Sequence, residues 1–461
     1  MLLSLQVYLK NSDWEGAKWI KRENIDIDDY TYYRKKIGLP NKNIKRAIAY
    51  ISASHSYEMY INGKLVAKGN NHHYPQYTYY QSWDVTSFLK SDAENLFACL
   101  THWYFGGQGR AKGERGLLMK VIVEYGDNTI TTIGSDGSWK QKRATQWDKN
   151  QPVRNGEGIG HVEKIDSRKM IPNWNTISYH DSDWNYATEI GLQPVAPWTQ
   201  RLRSDLTRVK EKIITPKSIT QPSKGKYIID LGKIYAGRFN ITFEGGNSGD
   251  TIKMIGGFVL NNDGTVSKKI NQQTDLHFFF IHNGKKAIFE PNVYLGLRYL
   301  QVENSPNVLT KINVHFIERH YELTNEPATF KSSNSMLNDV WDLMVHSLKV
   351  GSQEGFVDTP TREKGTFLGD SWSQAVPCLS VMGDRVMNLR TLKEFIDSQN
   401  QYWPDGRLNA VYPNQDGARD IPDYTQAYLV WVWDYYMHTG NLEFLRSNYT
   451  QLKKIADYVE A

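Results

Sequence analysis

Asp358-Thr-Pro-Thr-Arg362-Glu363-Lys-Gly-Thr-Phe367-Leu-Gly369-Asp370 is the stretch on which the reading of this chain turns. It brings three carboxylates, a guanidinium and an aromatic ring together on a segment whose Pro360 and Gly365 mark a loop. Such a set can hold a polyhydroxylated ring and protonate an oxygen on it, so glycoside hydrolysis is the leading chemistry. That reaction needs one carboxylic acid for the departing oxygen and a second carboxylate on the opposite face of the sugar, about 6.5–9.5 Å away when water attacks directly. The donor has to stay protonated near neutral pH, through desolvation or anionic neighbours. Arg362 would lower the pKa of Glu363, whereas Asp358 and Asp370 would raise it. If Arg362 turns away to pair with Asp358 or Asp370, Glu363 is left as the acid, and Phe367 can stack on the ring. The residues alone leave a second reading open, a structural loop in which Arg362 forms ion pairs and Asp370 caps the next helix.

Around this loop the chain is helical, and before it the chain is β. From about residue 325 the apolar period is 3.6: Leu337, Val340, Trp341, Met344 and Leu348 form one stripe behind a cap at Ser333 or Asn334. Further helices are expected over 371–382, 387–399, 424–439 and from 442 to the end, with Gly440-Asn441 as stop and fresh cap. Pro377 falls inside the second of these five, where a kink or a late start is expected. Residues 1 to about 320 carry short alternating or aromatic-rich runs such as 46–52, 57–61 and 116–124, parted by the turn signals Asn62-Gly63, Asp127-Asn128 and Asp136-Gly137. Pro194, Pro197, Pro216 and Pro222 mark a break. The expected fold is therefore two antiparallel β-sandwich domains, 1–205 and 206–322, followed by an all-α domain over 323–461. The last residues stop inside an apolar period, and the helical domain reads as unfinished.

At 461 residues the chain is too long for a single core, which fits three domains. Lys+Arg 55 against Asp+Glu 50 gives only +5, with no basic run, so nucleic acid and anionic membranes are poor partners. Two cysteines, Cys99 and Cys378, exclude a disulfide framework and a Cys-based zinc site. His72-His73 has no third ligand at metal spacing and reads as a loop pair, so neither metal nor cofactor is expected. The 14 Trp and 28 Tyr fit either large β cores or sugar-stacking platforms, and composition does not choose. His102-Trp103-Tyr104 with Gly106-Gly107 reads as strand and turn rather than as an auxiliary sugar surface. Residues 1–10 lack a cationic start and a cleavage site, and no apolar segment approaches the roughly 18 residues of a membrane span, so a soluble, cytoplasmic protein is expected.

The loop resembles the Asp-Cys-Pro-Thr-Arg-Glu…Trp-x-Gly-Asp signature of the bacterial α-L-rhamnosidases, glycoside hydrolase family 78. The same pattern includes Gly160-His-Val-Glu163-Lys-Ile-Asp166-Ser-Arg168, Asp181-Ser-Asp183-Trp184, Asp230-Leu-Gly232 with Ala236-Gly237, Gly296-Leu-Arg-Tyr299, and Ile421-Pro-Asp-Tyr424 before Trp433-Asp-Tyr-Tyr-Met-His-Thr-Gly440. The resemblance covers essentially the whole chain. It implies that 323–461 is part of an (α/α)6 six-hairpin toroid and that the activity is inverting hydrolysis of terminal α-L-rhamnose. Glu363 would be the general acid, with Asp358, Arg362 and Asp370 binding rhamnose hydroxyls and Asp423 facing the site. Thr359 stands where the family has Cys, and Phe367 where it has Trp. The loop Tyr402-Trp403-Pro-Asp405-Gly-Arg407 reads as a turn that can also border the sugar pocket through Trp403. The family's general base would fall beyond residue 461, so the resemblance implies a C-terminally truncated enzyme of impaired turnover. The partners expected are rhamnose-containing glycosides, with a homo-oligomer or a complementing C-terminal polypeptide as further candidates. The alternatives are a non-catalytic carbohydrate-binding protein and one half of a split glycosidase.

Overall fold

The computed structural model of the chain describes residues 10–24, 26–104, 106–156, 160–323 and 327–461. The apolar run at residues 1–9, read above for a leader, and residues 324–326, where the helical period sets in, lie outside the described residues. The chain forms two compact units: Met1–Phe105, Lys112–Asn150 and Lys169–Leu206 make one, and Gly106–Ala111, Gln151–Arg168 and Thr207–Ala461 the other. Two short stretches of the N-terminal region thus leave their neighbours in sequence and belong with the second unit.

In the first unit, seven strands form one sheet and six another. His55–Ile61 alternates buried and half-buried residues along its length, the period of a strand with one face on a core. Tyr57, Met59 and Ile61 from that face meet Ala49, Ile51, Met119 and Val121 of the other sheet in one cluster. The Asn62-Gly63 turn joins His55–Ile61 to Lys64–Asn71 with both residues left-handed, φ 51° and 84°, as a tight hairpin of this type requires. On the outer face of the seven-stranded sheet Trp14, Trp19, Tyr80 and Trp198 form a second cluster, in which Trp19 and Trp198 stack at 3.9 Å. Tyr30, Tyr32 and Trp184 gather with Trp147 and Trp174 in a third. In this unit the aromatic excess goes into packing.

The second unit opens with nine strands in one hydrogen-bonded sheet. The sheet is continuous because Lys226–Phe243, 18 residues long, pairs with Ser218–Ser223, Ala287–Phe289, Leu295–Glu303 and Val314–Tyr321 in turn.

Among the described residues six helices follow: α1 Ser335–Gly351, α2 Leu368–Val381, α3 Val386–Tyr402, α4 Pro422–Thr439, α5 Leu442–Ser447 and α6 Tyr449–Glu460. Asn334 caps α1 by accepting from Met336 N at 2.9 Å. α2 starts at Leu368, not late, and runs through Pro377. The helix expected from 442 to the end is two: Asn448 turns its amide back onto Phe444 O at 2.8 Å, ending α5 and opening α6. Gly440 stops α4 with φ 63°. The apolar stripe of α1 has helical spacing but is exposed: Leu337, Val340 and Met344 face outward, as do Val430, Trp433 and Met437 on α4. Trp431, Val432 and Tyr435 of α4 are buried, with Trp431 edge-on to Phe356 and Phe395. No helix among the described residues is long and apolar enough to cross a membrane.

These burials separate two tryptophans by consequence. Trp198→Ala removes a 1% exposed ring stacked on Trp19 and should cost about 3–5 kcal/mol in denaturant unfolding of the first unit. Trp433→Ala, at a 60% exposed position, should change stability by less than about 0.5 kcal/mol.

Candidate active site

The loop between α1 and α2 is closed on itself. Asp358 N donates to Gly365 O at 3.0 Å, and Gly365 N returns a bond to Asp358 Oδ1 at 2.9 Å. Between them Lys364 takes a left-handed conformation, φ 55°, which is uncommon for a residue with a side chain. Lys364 Nζ donates to Tyr294 O and lies 3.9 Å over the Tyr294 ring. Burial, with Arg110 nearby, holds its ammonium well below the usual lysine range. The loop also rests on the start of Leu295–Glu303: Gly296 N donates to Pro360 O at 3.1 Å and Thr361 Oγ1 to Gly296 O at 2.9 Å.

A third support comes from far away in sequence. Arg110, buried, donates through Nη1 to Glu363 O at 2.9 Å. Its neighbour Gly109, φ 77°, lies so close that a Cβ there would fall 2.3 Å from Gly365 Cα, so only glycine fits. Gln415 N donates to Gly107 O at 3.2 Å, so the same short segment also holds the loop before α4.

On this frame three ionisable groups meet. Arg362 forms an ion pair with Glu363 Oε1; the Glu363 carboxylate is buried and the guanidinium half-exposed. Asp358 interacts with the same carboxylate, yet Glu363 Oε2 is left buried without a hydrogen bond of normal geometry. Burial and the adjoining Glu363 carboxylate push Asp358 up to about 8. Glu363 moves the other way: burial opposes its ionisation, but Arg362 and Asp358 outweigh it and hold the group below the usual glutamate range. A buried and a half-buried carboxyl side by side cannot both ionise cheaply, so the pair keeps one proton near neutral pH, and in this conformation Asp358 is the one favoured to carry it. The condition under which Glu363 is left as the acid, Arg362 turned away to pair with Asp358 or Asp370, is not met in this conformation: the guanidinium pairs with Glu363.

Asp370 sits in the first turn of α2, where an acid suits the helix dipole, and accepts from Tyr424 Oη of α4 at 3.1 Å. Burial and Asp370 push the Tyr424 phenol up to about 12. Gly369 allows the approach, since a Cβ there would lie 2.5 Å from the Tyr424 ring. Phe367 is half-buried, its ring against Gly365 and its backbone bridged to Val411. Asp423 is exposed at the start of α4, beside Tyr424. Trp403 is buried: its indole N–H donates to Asn409 at 2.6 Å and Arg407 lies 4.0 Å over its ring, so it buttresses the loop at 408–411. Of the residues singled out, Asp358, Arg362 and Glu363 are in one cluster with Phe367 on the same loop, and Asp370 joins Tyr424 beside them. In the first unit, the His72 ring lies 6.0 Å from that of Tyr104, and His73 lies 4.6 Å from Tyr79. Arg110, Lys364 and Tyr424 were not singled out by sequence. Only Tyr424 left a signal, as the last residue of Ile421-Pro-Asp-Tyr424.

The Asp358 proton has a measurable consequence. Its folded-state pKa, about 8, exceeds the unfolded value, about 3.9. Below about pH 4 both states hold the proton; above it the unfolded chain releases it first, so this group's stabilisation is lost as pH rises toward 8. Asp358→Asn keeps a neutral donor and removes the titration. Its Tm relative to wild type should therefore rise by several degrees between pH 4.5 and pH 8, and a pH-independent difference would contradict the assignment.

Comparison with known proteins gives a consistent pattern. The chain matches the α-L-rhamnosidase N-terminal domain over 42–209, the bacterial α-L-rhamnosidase concanavalin-like domain over 220–319, and the bacterial α-L-rhamnosidase 6 hairpin glycosidase domain over 325–461. An α-L-rhamnosidase of Streptomyces avermitilis is 26% identical over 345 residues, which span 71% of this chain and 32% of that protein. The structure of α-L-rhamnosidase from Dictyoglumus thermophilum superposes with TM-score 0.83 at 23% identity, covering 97% of this chain and 51% of that one. The Streptomyces avermitilis α-L-rhamnosidase complexed with L-rhamnose gives 0.77 at 22% identity, covering 94% and 42%. Strand-rich sheets followed by a helical region are the shared fold. The chain spans half or less of the length of the curated relatives it matches.

Proposed function

We propose that this chain, which belongs to the bacterial α-L-rhamnosidase family, binds a terminal non-reducing α-L-rhamnose in the cluster around Glu363 and supplies the acid half of an inverting hydrolysis. The observation that carries this is the adjoining Asp358 and Glu363 carboxyls with the partly exposed Arg362 guanidinium on Glu363, an arrangement that favours one shared proton. A rhamnose hydroxyl competes with Glu363 for Arg362. Once Arg362 swings onto the sugar, the stabilisation that kept Glu363 ionised is gone, and the shared proton passes to it. Glu363 then protonates the glycosidic oxygen as the bond to the anomeric carbon breaks. Water adds to that carbon from the opposite face and gives its proton to a second carboxylate. Asp358 and Asp370 accept hydrogen bonds from ring hydroxyls, with Asp423 nearby, and Phe367 offers its open face to the sugar.

In this reading the reaction also needs a second carboxylate on the opposite face of the sugar. General acid and base contributions are typically worth about 10²–10⁴-fold each. Release of nitrophenol from an aryl α-L-rhamnoside, with L-rhamnose binding measured alongside by calorimetry, tests the proposal. Glu363→Gln should reduce the residual hydrolysis by at least about 10²-fold and leave rhamnose affinity within a few-fold. Arg362→Ala should weaken rhamnose binding itself. In the free protein, kcat/KM should fall above about pH 8, where the pair gives up its proton. Hydrolysis indifferent to Glu363→Gln, or no rhamnose binding at all, would remove the basis for this reading.

A further inference from the structure

The second unit holds a cavity of about 480 Å3, inside the usual range for ligand sites of roughly 300–1,000 Å3. Ser267, Lys268, Asn271, Gln273, Asp275 and His277 line it, over an apolar floor that includes Ile255 and Leu276. Asp275 is paired with His277 Nδ1 at 2.7 Å, and the buried Arg154 spends Nη1 on the carbonyls of Asp275 and His277. A lining of amides, a hydroxyl and an ammonium over two aliphatic residues suits a polyhydroxylated ligand better than a large apolar one.

The cavity is joined to the proton-sharing loop. Gln272, between two of its lining residues, accepts from Thr359 Oγ1 at 3.0 Å, and Thr359 directly follows Asp358. Gln272 and Gln273 both hold left-handed backbone, φ 53° and 56°, a conformation that costs energy in residues other than glycine. The turn is fixed by Gln273 N on Asn271 Oδ1 at 3.1 Å, Thr274 Oγ1 on Gln272 O at 3.0 Å, and Asn155 on Thr274 Oγ1 at 3.0 Å. Through Thr359 the segment that carries Asp358 and Glu363 is tied to this turn.

We propose that the cavity is a subsite for the leaving group, a sugar or similarly hydroxylated unit attached to rhamnose through the departing oxygen. This rests on the reading of the Glu363 cluster as the rhamnose site. The test is calorimetric titration of the chain with L-rhamnose and with a non-hydrolysable sulfur-linked α-L-rhamnosyl-glucose. Lys268→Ala and Gln273→Gly each remove one polar group, and glycine accepts the left-handed backbone without strain. The disaccharide should bind more tightly than L-rhamnose. Each variant should weaken disaccharide binding by about fivefold, one hydrogen bond's worth, and leave L-rhamnose binding unchanged. If L-rhamnose binds but the disaccharide gains nothing over it, or neither variant affects the disaccharide, the subsite is wrong and the rhamnose site stands. If L-rhamnose itself does not bind, the rhamnose reading falls and the subsite falls with it.

Discussion

A single proton shared by the buried Glu363 carboxyl and the half-buried Asp358 carboxyl is the constraint on which this structure's chemistry depends. Asp358 and Glu363 are too close and too poorly hydrated to ionise together, and one guanidinium decides which of them stays charged. Arg362 is partly exposed, so its guanidinium lies at the solvent side of the pair. In the proposed cycle the site passes between two states, one with the proton on Asp358 and Arg362 on Glu363, the other with the guanidinium on a ligand and the proton on Glu363. A polyhydroxylated ligand that competes for Arg362 would shift the balance between them.

Such a pair survives only if the backbone prevents the carboxyls from drifting apart, and the supports come from three directions. Strand Leu295–Glu303 holds Pro360 and Thr361, Tyr294 holds the Lys364 ammonium, and Arg110 holds the Glu363 carbonyl. The Lys364 backbone is left-handed and its ammonium buried, both unfavourable in isolation. Packing that over-determines the loop offsets both. On the other side, Tyr424 ties Asp370 to α4, so the two ends of the Asp358–Asp370 segment are anchored to different elements.

Much of this was legible in the sequence because it is local. The strand-to-helix change of period, the Asn334 cap, the Gly440 stop and the Asn62-Gly63 hairpin each depend on residues within one turn of one another. The acidic loop was legible for the same reason. Arg110 was not, since its 253-residue separation from Glu363 leaves no periodic trace. The direction in which Arg362 points was also hidden: three carboxylates lie within its reach in sequence, and only the folded loop shows it on Glu363. The α1 stripe shows the reverse limit, because spacing identifies an apolar face but not whether anything packs on it. Trp403 is a similar case, an aromatic residue in the right loop whose ring and N–H are already engaged.

The central claim is tested most directly by the carboxyl carbons themselves. Carbon-13 NMR titration of the chain labelled at Asp and Glu side-chain carboxyls, with Asp358→Asn and Glu363→Gln used to assign the two signals, reports each proton separately. The expected result is that Asp358 remains protonated at pH 6.5 and titrates near 8, with Glu363 ionised throughout the neutral range and shifting toward its protonated position when L-rhamnose is added. Two carboxyls both ionised at pH 6.5, with no response to the sugar, would contradict it.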